Sequence, residues 1–388
     1  MSRLLKAFAP GRTEIAGNHV DHQHGIAMTG SLSQGISADV ELRDDDIILI
    51  DSEGFDTFEV DINNIPNYKD FDKSKHYTTE ALVCGVAFAF KERDIDIHGF
   101  NAKISSTIGS GMGLSSSAAF ELLIGVILNE AYNEGKLSKM ELAQIGLFAE
   151  YKYFNKPSGL LDQTAISYGG IILIDFKDPQ NLKVEPIDFS FEKANIGAVL
   201  VDSKVQHGDI SNMYAAIPGN IKSVANLNNV EYLRDLDKHK FMENISASKN
   251  ANGEKSTMRA IHYYHEMNLV EKRIQALKDN DAKLFMYLHG LSGSSSAEFL
   301  QNTFISEEKQ ATSYCQAICE LCLDEVCNGD FSNRGASRIH GGGFGGCIQV
   351  FLPIEQVDDF CKRIDDIYGQ KVANLIEFSD TGAYAKFV

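Results

Sequence analysis

The feature that most constrains the fold of this chain is a glycine- and serine-rich segment at residues 109–118, GSGMGLSSSA. It follows residues 100–105, which predict a β-strand, and leads into residues 115–132, whose apolar periodicity predicts a helix. In such a turn the glycines let backbone amides approach a phosphate, and the helix N-terminus favours an anion. The segment therefore indicates a phosphate-binding loop, although a flexible turn before a serine-capped helix would have the same sequence.

This loop does not match two common nucleotide-binding motifs. It lacks the lysine of a Walker A loop, and the chain shows neither the catalytic loop nor the metal-binding triplet of protein kinases. The chain is acidic, with 36 Lys plus Arg against 54 Asp plus Glu and a net charge of −18. Without a basic run, nucleic acid is excluded as a partner, and phosphate binding must rest on backbone amides, helix N-termini and a metal ion.

Two further clusters of polar residues and glycines flank this loop in the sequence. Residues 10–25, PGRTEIAGNHVDHQHG, place many hydrogen-bonding side chains between glycines, which suits a site that binds several hydroxyls. Their three histidines also allow a metal site or an ordinary surface loop. Residues 341–346, GGGFGG, indicate close approach of the backbone to a ligand or another loop, or a tight bend.

The order of predicted elements indicates an α+β protein. The length of 388 residues predicts two domains with a cleft between them, and the polar, turn-rich residues 175–192 are the expected boundary. We therefore predict domains at residues 1–190 and 191–388. In the second domain, helical stretches are expected to break near Gly219, Gly253 and Gly290.

Membrane insertion and a disulfide framework are not expected. No stretch of about 18 apolar residues occurs, and the N-terminus lacks the apolar core of a signal peptide, so we predict a cytoplasmic protein. The chain has seven cysteines. Cys315, Cys319, Cys322 and Cys327 could suggest zinc, but their spacing is awkward for a metal knuckle. The first three are expected to act as small hydrophobic residues on one helix face.

The three motifs, in this order, resemble the GHMP family of small-molecule kinases, and most closely its galactose-phosphorylating branch. The resemblance spans nearly the whole chain. It implies a two-domain fold in which each domain has a mixed or antiparallel sheet with helices on one side, and an active site in the cleft. It also implies ATP and Mg²⁺, with phosphorylation of the anomeric hydroxyl of galactose as the reaction. Galacturonate or another galactose-like sugar, and a non-catalytic sugar and ATP sensor, remain alternatives.

The resemblance also implies roles for individual residues. Asp162 would be the catalytic base and Arg12 the arginine beside it; a helix cap is the alternative for Asp162. Ser117 and Glu150 would hold Mg²⁺, unless Glu150 is a plain surface residue of its helix. The sugar would contact Asn18, His19, Asp21, Gly159 and Tyr214. The nucleotide would contact Gly109, Ser110, Gly111, Gly113, Leu114, Ser115, Ser116 and Ser117.

The chain departs from that branch at several positions. The branch usually has glutamate, which contacts the sugar's C6 hydroxyl, where this chain has Asn18, and tyrosine where it has His22. An amide can donate as well as accept, so Asn18 would also tolerate a C6 carboxylate. Gln206 replaces a common arginine, and no compensation for it is evident. A monomer or weak homo-oligomer with only small-molecule partners is expected.

Overall fold

The computed structural model describes residues 3–109, 112–205 and 211–388. In these residues, eight strands form one sheet and four form a second. The first sheet contains β1 (Leu4–Ala16), β2 (Ile26–Leu42), β3 (Ile47–Ser52), β4 (Phe58–Asp61), β5 (Phe100–Ser106), β6 (Ile171–Asp175), β7 (Lys183–Ile187) and β12 (Tyr384–Phe387). The second contains β8 (Ile196–Asp202), β9 (Ala336–Ile339), β10 (Cys347–Pro353) and β11 (Ala373–Ile376).

The first sheet is mixed and the second is antiparallel. Strands of the first sheet lie in the order β12-β1-β2-β5-β3-β4, and β6 and β7 extend it from β2. Only the β3–β5 pair is parallel among the described pairings. The second sheet has the order β11-β8-β10-β9. The predicted α+β class with mixed or antiparallel sheets is therefore confirmed.

Four of the described helices lie on one face of the first sheet. These helices are α1 (Thr79–Lys91), α2 (Ser116–Asn133), α3 (Lys139–Lys152) and α4 (Leu161–Tyr168). Apolar residues of α1, α2 and α3 bury with alternate residues of β1, β2 and β5 in one large cluster. Burial of apolar surface contributes about 25 cal/mol per Å². It therefore holds α2 and α4 in place on the sheet, including the first turns of both helices.

The later helices are α5 (Ser211–Leu227), α6 (Lys238–Glu243), α7 (Ile245–Lys278), α8 (Ala282–Ser295), α9 (Ala311–Val326) and α10 (Val357–Tyr368). The predicted break at Gly253 is correct, since its φ of 81° interrupts α7. The breaks predicted at Gly219 and Gly290 are wrong. Gly219 lies inside α5 at an exposed position, and the packing of Ile217 and Ile221 on the buried face of that helix overrides its low propensity. Gly290 lets α8 approach β9, since an added Cβ would lie 3.3 Å from Ala336.

An apolar cluster joins the two sheets. Ile15 and Met28 of the first sheet and Leu200 and Phe351 of the second belong to it. The predicted boundary between residues 190 and 191 falls between β7 and β8, and this division stays a prediction. The stretch 175–192 is less irregular than expected, because it contains β7.

Two other expectations can be compared with the fold. Cys315, Cys319 and Cys322 are buried in an apolar cluster with strands β8 and β10, as expected for small hydrophobic residues. Among the described helices, none combines the length and apolar composition required to cross a membrane.

Candidate active site

The predicted catalytic pair, Arg12 and Asp162, is in direct contact. Arg12 lies on β1 just after a register shift against β2, and Asp162 lies in the first turn of α4. The Arg12 Nε is 2.7 Å from Asp162 Oδ1, and the guanidinium also donates to the carbonyl of Gly113 at 2.6 Å. The pair therefore joins the first sheet, α4 and the predicted phosphate loop.

The Asp162 carboxylate is held in its ionised form. Burial alone would raise the pKa of Asp162, but the charge and hydrogen bond of Arg12, with Lys156 and Ser115, outweigh it and lower the pKa below the usual value. An ionised carboxylate is the state required of a general base. Its side chain remains about one fifth exposed, at 21%.

The glycine-serine loop packs against this pair. Gly113 has a φ of 69°, a conformation that favours glycine, and an added Cβ would lie 3.3 Å from the His340 ring. The loop thus meets the third glycine cluster, which begins just after His340. Predicted loop residues Gly109, Gly113, Leu114, Ser115, Ser116 and Ser117 fall in this region, whereas Ser110 and Gly111 lie outside the described residues, as does Gln206.

Ser115 has a different role from the helix cap that the sequence suggested. It precedes α2 with a φ of 58° and makes no capping hydrogen bond through its side chain. Its hydroxyl instead donates a short hydrogen bond to Asp162 Oδ2. The left-handed backbone turns the hydroxyl toward the Asp162 carboxylate, so this contact replaces a local helix cap.

The two predicted magnesium ligands are also in contact. Ser117 Oγ donates to Glu150 Oε1 at 2.8 Å, across the α2–α3 interface. Glu150 is 1% exposed and is therefore not a plain surface residue of its helix. The ammonium of Lys156 lies 2.5 Å from Glu150 Oε1 and 3.3 Å from Ser117 Oγ. Sequence reasoning missed Lys156.

A second buried carboxyl group, that of Glu121, lies beside Glu150. Gln163 Nε2 donates to Glu150 Oε2 at 3.0 Å and to Glu121 Oε2 at 3.1 Å, so the amide bridges the two side chains. Burial and the charge of Glu150 raise the pKa of Glu121 well above its usual value. Among the described residues, no group of three or more His, Cys, Asp or Glu side chains is arranged for a metal ion. A hydroxyl, a carboxylate and phosphate oxygens would instead suit Mg²⁺, which prefers oxygen ligands.

Four of the predicted sugar contacts, His19, Asp21, Gly159 and Tyr214, lie close together and are here termed the sugar wall. Asp21 faces Gly159, since a Cβ added to that glycine would lie 3.1 Å from Asp21 Oδ2. The rings of His19 and Tyr214 have centroids 5.4 Å apart, and Tyr214 packs on Gly342, where an added Cβ would overlap the ring. Asp21 accepts no hydrogen bond through its side chain from described residues, so its oxygens are open to ligand hydroxyls.

His19 is oriented by the third glycine cluster. Its Nε2 donates to the carbonyl of Gly342 at 2.9 Å. Burial, with a smaller effect of His22, lowers the pKa of His19 to about 3. The imidazole is therefore neutral near neutral pH, and its other nitrogen can accept a hydrogen bond.

The Asn18 side chain is occupied by protein groups. Its Nδ2 donates to Gly341 O at 2.7 Å and to Glu14 Oε1 at 3.2 Å. Its Oδ1 accepts from Asn302 Nδ2 at 3.1 Å and from Ser296 Oγ at 3.3 Å. The structure therefore brings Asn18 to the sugar wall, but with its amide satisfied; direct contact with a sugar stays a prediction.

A buried ionic network behind the wall was missed by sequence reasoning. Glu266 of α7 accepts hydrogen bonds from the amide of Gly17 at 3.0 Å and from Ser292 at 2.8 Å. Arg338 and Arg273 lie 3.8 and 3.9 Å from the same carboxylate. The network holds the loop that carries Asn18, His19 and Asp21. Charged residues scattered along the sequence give no periodic signal for such a cluster.

Comparisons with known proteins agree with this geometry. The GHMP kinases N terminal domain matches residues 81–170, and the galactokinase galactose-binding signature matches residues 3–40. A galactokinase of Glaesserella parasuis is 29% identical over 374 residues, covering 95% of this chain and 90% of the relative. A galactokinase of Streptomyces coelicolor is 27% identical over 374 residues, with 95% and 90% covered.

Solved structures show the same fold. The Lactococcus lactis galactokinase in complex with galactose has a TM-score of 0.80 and 22% identity, covering 99% of this chain and 95% of the other. A mevalonate kinase has a TM-score of 0.66 and 16% identity, with 97% and 99% covered. Residues 81–170 thus carry the N-terminal domain of GHMP kinases, and the whole chain has the fold of the solved kinases compared with it. Residues 3–40 carry the galactose-binding signature of galactokinases.

Proposed function

We propose that this protein is a galactokinase, which transfers the terminal phosphoryl group of ATP to the anomeric hydroxyl of galactose. The observation that carries the proposal is the position of Asp162. It contacts Arg12 and Ser115 at the predicted phosphate loop, and its charge also acts on the phenol of Tyr214, a residue of the sugar wall. The matched galactose-binding signature and the galactokinase relatives support the choice of sugar.

In the proposed reaction, Asp162 takes the proton of the anomeric hydroxyl. The hydroxyl oxygen forms a bond to the γ-phosphorus, the bond to the bridging oxygen breaks, and ADP leaves. Arg12 keeps the carboxylate ionised and stabilises charge on the transferred group. Because phosphoryl transfer has a loose transition state, the loop and the sugar wall contribute mainly by positioning.

Mg²⁺ fits the Ser117 and Glu150 oxygens, which are 2.8 Å apart. When bound, the ion would neutralise phosphate charge at the transferred group. The ammonium of Lys156 contacts both side chains, so these oxygens already stabilise a cation in the protein. We infer that Lys156 balances the charge of Glu150 when no metal is bound and would release Glu150 to a bound metal.

Lys156→Met should lower the stability of the metal-free protein and strengthen metal binding. Loss of the counter-ion beside buried Glu150 should cost about 1–3 kcal/mol, between the values for exposed and buried pairs, because the lysine side chain is 44% exposed. Affinity for Mn²⁺, titrated by electron paramagnetic resonance, should rise several-fold. Lys177→Met, in an exposed loop, is the control. Unchanged stability and Mn²⁺ affinity in the Lys156 variant would contradict this role.

The proposed function is tested by ADP release from MgATP with galactose, galacturonate, glucose, N-acetylgalactosamine and mevalonate as acceptors, with the product identified by ³¹P NMR. Galactose should be the best acceptor and should yield the 1-phosphate. Preference for galacturonate would make the protein a different sugar 1-kinase. If no acceptor causes ADP release although sugars still bind, the result would favour the non-catalytic sensor.

Several narrower expectations also belong to this proposal. We propose ATP and Mg²⁺ as the cofactors, a cytoplasmic location, and a monomer or weak homo-oligomer whose partners are the sugar and ATP. The contact of Arg12 with ionised Asp162 speaks against the sensor, because a protein that only binds ligands has no need of a poised base.

A further inference from the structure

Glu14 is a nearly buried carboxylate at the site that neither the catalytic nor the metal role uses. It lies on β1 two residues after Arg12, and both residues pair regularly with β2, so the two side chains leave the strand on the same face. Each residue is 8% exposed. Two residues along a strand span about 6.6 Å, comparable to the width of a pyranose sugar.

One oxygen of this carboxylate is bound by the protein and the other is not. Glu14 Oε1 lies 3.0 Å from the Arg338 guanidinium and accepts from Asn18 Nδ2 at 3.2 Å. Within residues 3–109, 112–205 and 211–388, no group donates to Oε2. A carboxylate oxygen in such a setting needs a donor, and a ligand hydroxyl would provide one.

Glu14 belongs to the same wall as the predicted sugar contacts. Asn18 connects its carboxylate to Gly341, and the next glycine, Gly342, carries the ring of Tyr214. Desolvation raises the pKa of the Tyr214 phenol, and the negative charges of Asp21, Asp162 and Glu14 raise it further, which agrees with the packing of its ring on Gly342.

Asn18 is poorly suited to bind a sugar hydroxyl itself. Both hydrogens of its amide are donated to protein oxygens, and its carbonyl accepts from two protein donors. A sugar hydroxyl could replace these bonds only by leaving buried groups unsatisfied. The geometry instead makes Asn18 a support that fixes the Glu14 carboxylate.

We propose that Glu14 is the specificity-determining residue that accepts a hydrogen bond from the C6 hydroxyl of galactose and excludes sugars with a C6 carboxylate. This inference rests on the proposed function. With the anomeric hydroxyl at Asp162 and adjacent ring hydroxyls at Asp21, the exocyclic C6 hydroxyl remains at the far end of the sugar, toward Glu14. A carboxylate there accepts from a hydroxyl but repels a second carboxylate at close range.

The test measures kcat/KM for galactose, 6-deoxygalactose and galacturonate in the wild type and in Glu14→Gln. In the wild type, removal of the C6 hydroxyl should lower kcat/KM by about 10- to 100-fold, the range for a hydrogen bond to a charged group. In the variant this ratio should shrink, and kcat/KM for galacturonate relative to galactose should rise at least about 10-fold. Glu14→Asp keeps the charge and should still reject galacturonate.

Asn18→Ala is the matched control. If Glu14 accepts from the C6 hydroxyl, this variant, which keeps the Glu14 carboxylate, should lower kcat/KM for every sugar and still discriminate against galacturonate. If Asn18 reads C6, the ratios should instead change in the Asn18 variant and stay constant in Glu14→Gln, which would overturn the inference. Melting temperatures and calorimetric galactose binding without ATP separate folding defects from specificity.

The two proposals fail in different ways. No phosphorylation of galactose by the wild type would refute the proposed function. Efficient phosphorylation with equal loss of all three sugars in Glu14→Gln would refute only the role of Glu14. Should that variant not fold, the wild type still decides, because acceptance of galacturonate or 6-deoxygalactose as readily as galactose contradicts the inference.

Discussion

Replacing Asp162 by asparagine should lower kcat with galactose by roughly 10²- to 10⁴-fold, the usual contribution of a general base. The amide has nearly the same shape but cannot take a proton from the anomeric hydroxyl. It also loses the ion pair with Arg12, whose Nε is 2.7 Å from the carboxylate. Galactose binding should persist, because Asp21, His19 and Glu14 remain in place.

Single-turnover kinetics and calorimetric galactose binding check this expectation. Chemistry should slow while the dissociation constant for galactose changes by only a few-fold. Asp178→Asn, which alters an exposed loop carboxylate, is the control and should keep wild-type turnover. Wild-type turnover by the Asp162 variant would remove Asp162 from the role of base, and loss of galactose binding would indicate a role in the sugar site instead.

Glu266→Gln should lower the free energy of unfolding by about 3–5 kcal/mol, the cost of breaking a fully buried ion pair from one side. Glu266, Arg273 and Arg338 all have side chains that are 0% exposed. Removing the carboxylate charge leaves the two guanidinium groups close together with Glu14 as the remaining acid. The Gly17 amide would also lose a charged acceptor.

Urea unfolding at pH 7 measures this effect against Glu254→Gln on the same helix. Glu254 is 71% exposed in its ion pair with Lys249, so its replacement should cost less than about 1 kcal/mol. Galactose affinity should also fall in the Glu266 variant, since the loop with His19 and Asp21 rests on the network. Similar unfolding free energies for the two variants would contradict the structural role of Glu266.

The pH dependence gives the same prediction a second readout. Burial alone would raise the pKa of Glu266, but Arg338, His262 and Arg273 outweigh it and lower the pKa below 4.5. A carboxylate with a lowered folded-state pKa contributes stability above its unfolded pKa, and this stability is lost as pH falls through the folded value. The difference between wild type and Glu266→Gln should therefore be largest near neutral pH and shrink below about pH 4.5.

The sequence allowed accurate prediction of locally determined elements. The sequence of residues 139–153 predicts a helix, and α3 covers Lys139–Lys152, with a capping box at Ser138 and Glu141 at its start. Arg12 and Asp162 were predicted through the resemblance, and their contact across 150 positions follows from pairing of distant elements. By contrast, β1 was not recognised as one strand, since bulges near Gly11 and Ile15 interrupt its alternation.

The sequence does not predict side-chain contacts that depend only on tertiary neighbours. Lys156 resembles any surface lysine in the sequence, and only the packing of α2 against α3 places its ammonium between Ser117 and Glu150. Glu14 and Asn18 are four positions apart in a strand and loop, where no local rule predicts that their side chains meet. The motif places Asn18 at a sugar-binding position, whereas its four hydrogen bonds to protein groups depend on the tertiary fold.

The pairing of β12 with β1 has a consequence for synthesis of the protein. Leu5 pairs with Phe387, so the outer edge of β1 has no neighbour on that side until residues 384–387 have left the ribosome. An uncovered edge strand offers its backbone groups to other chains. During translation, the strand that carries Arg12 and Glu14 is therefore exposed to intermolecular pairing, and chaperone contact with nascent chains should be most valuable before residues 384–387 emerge.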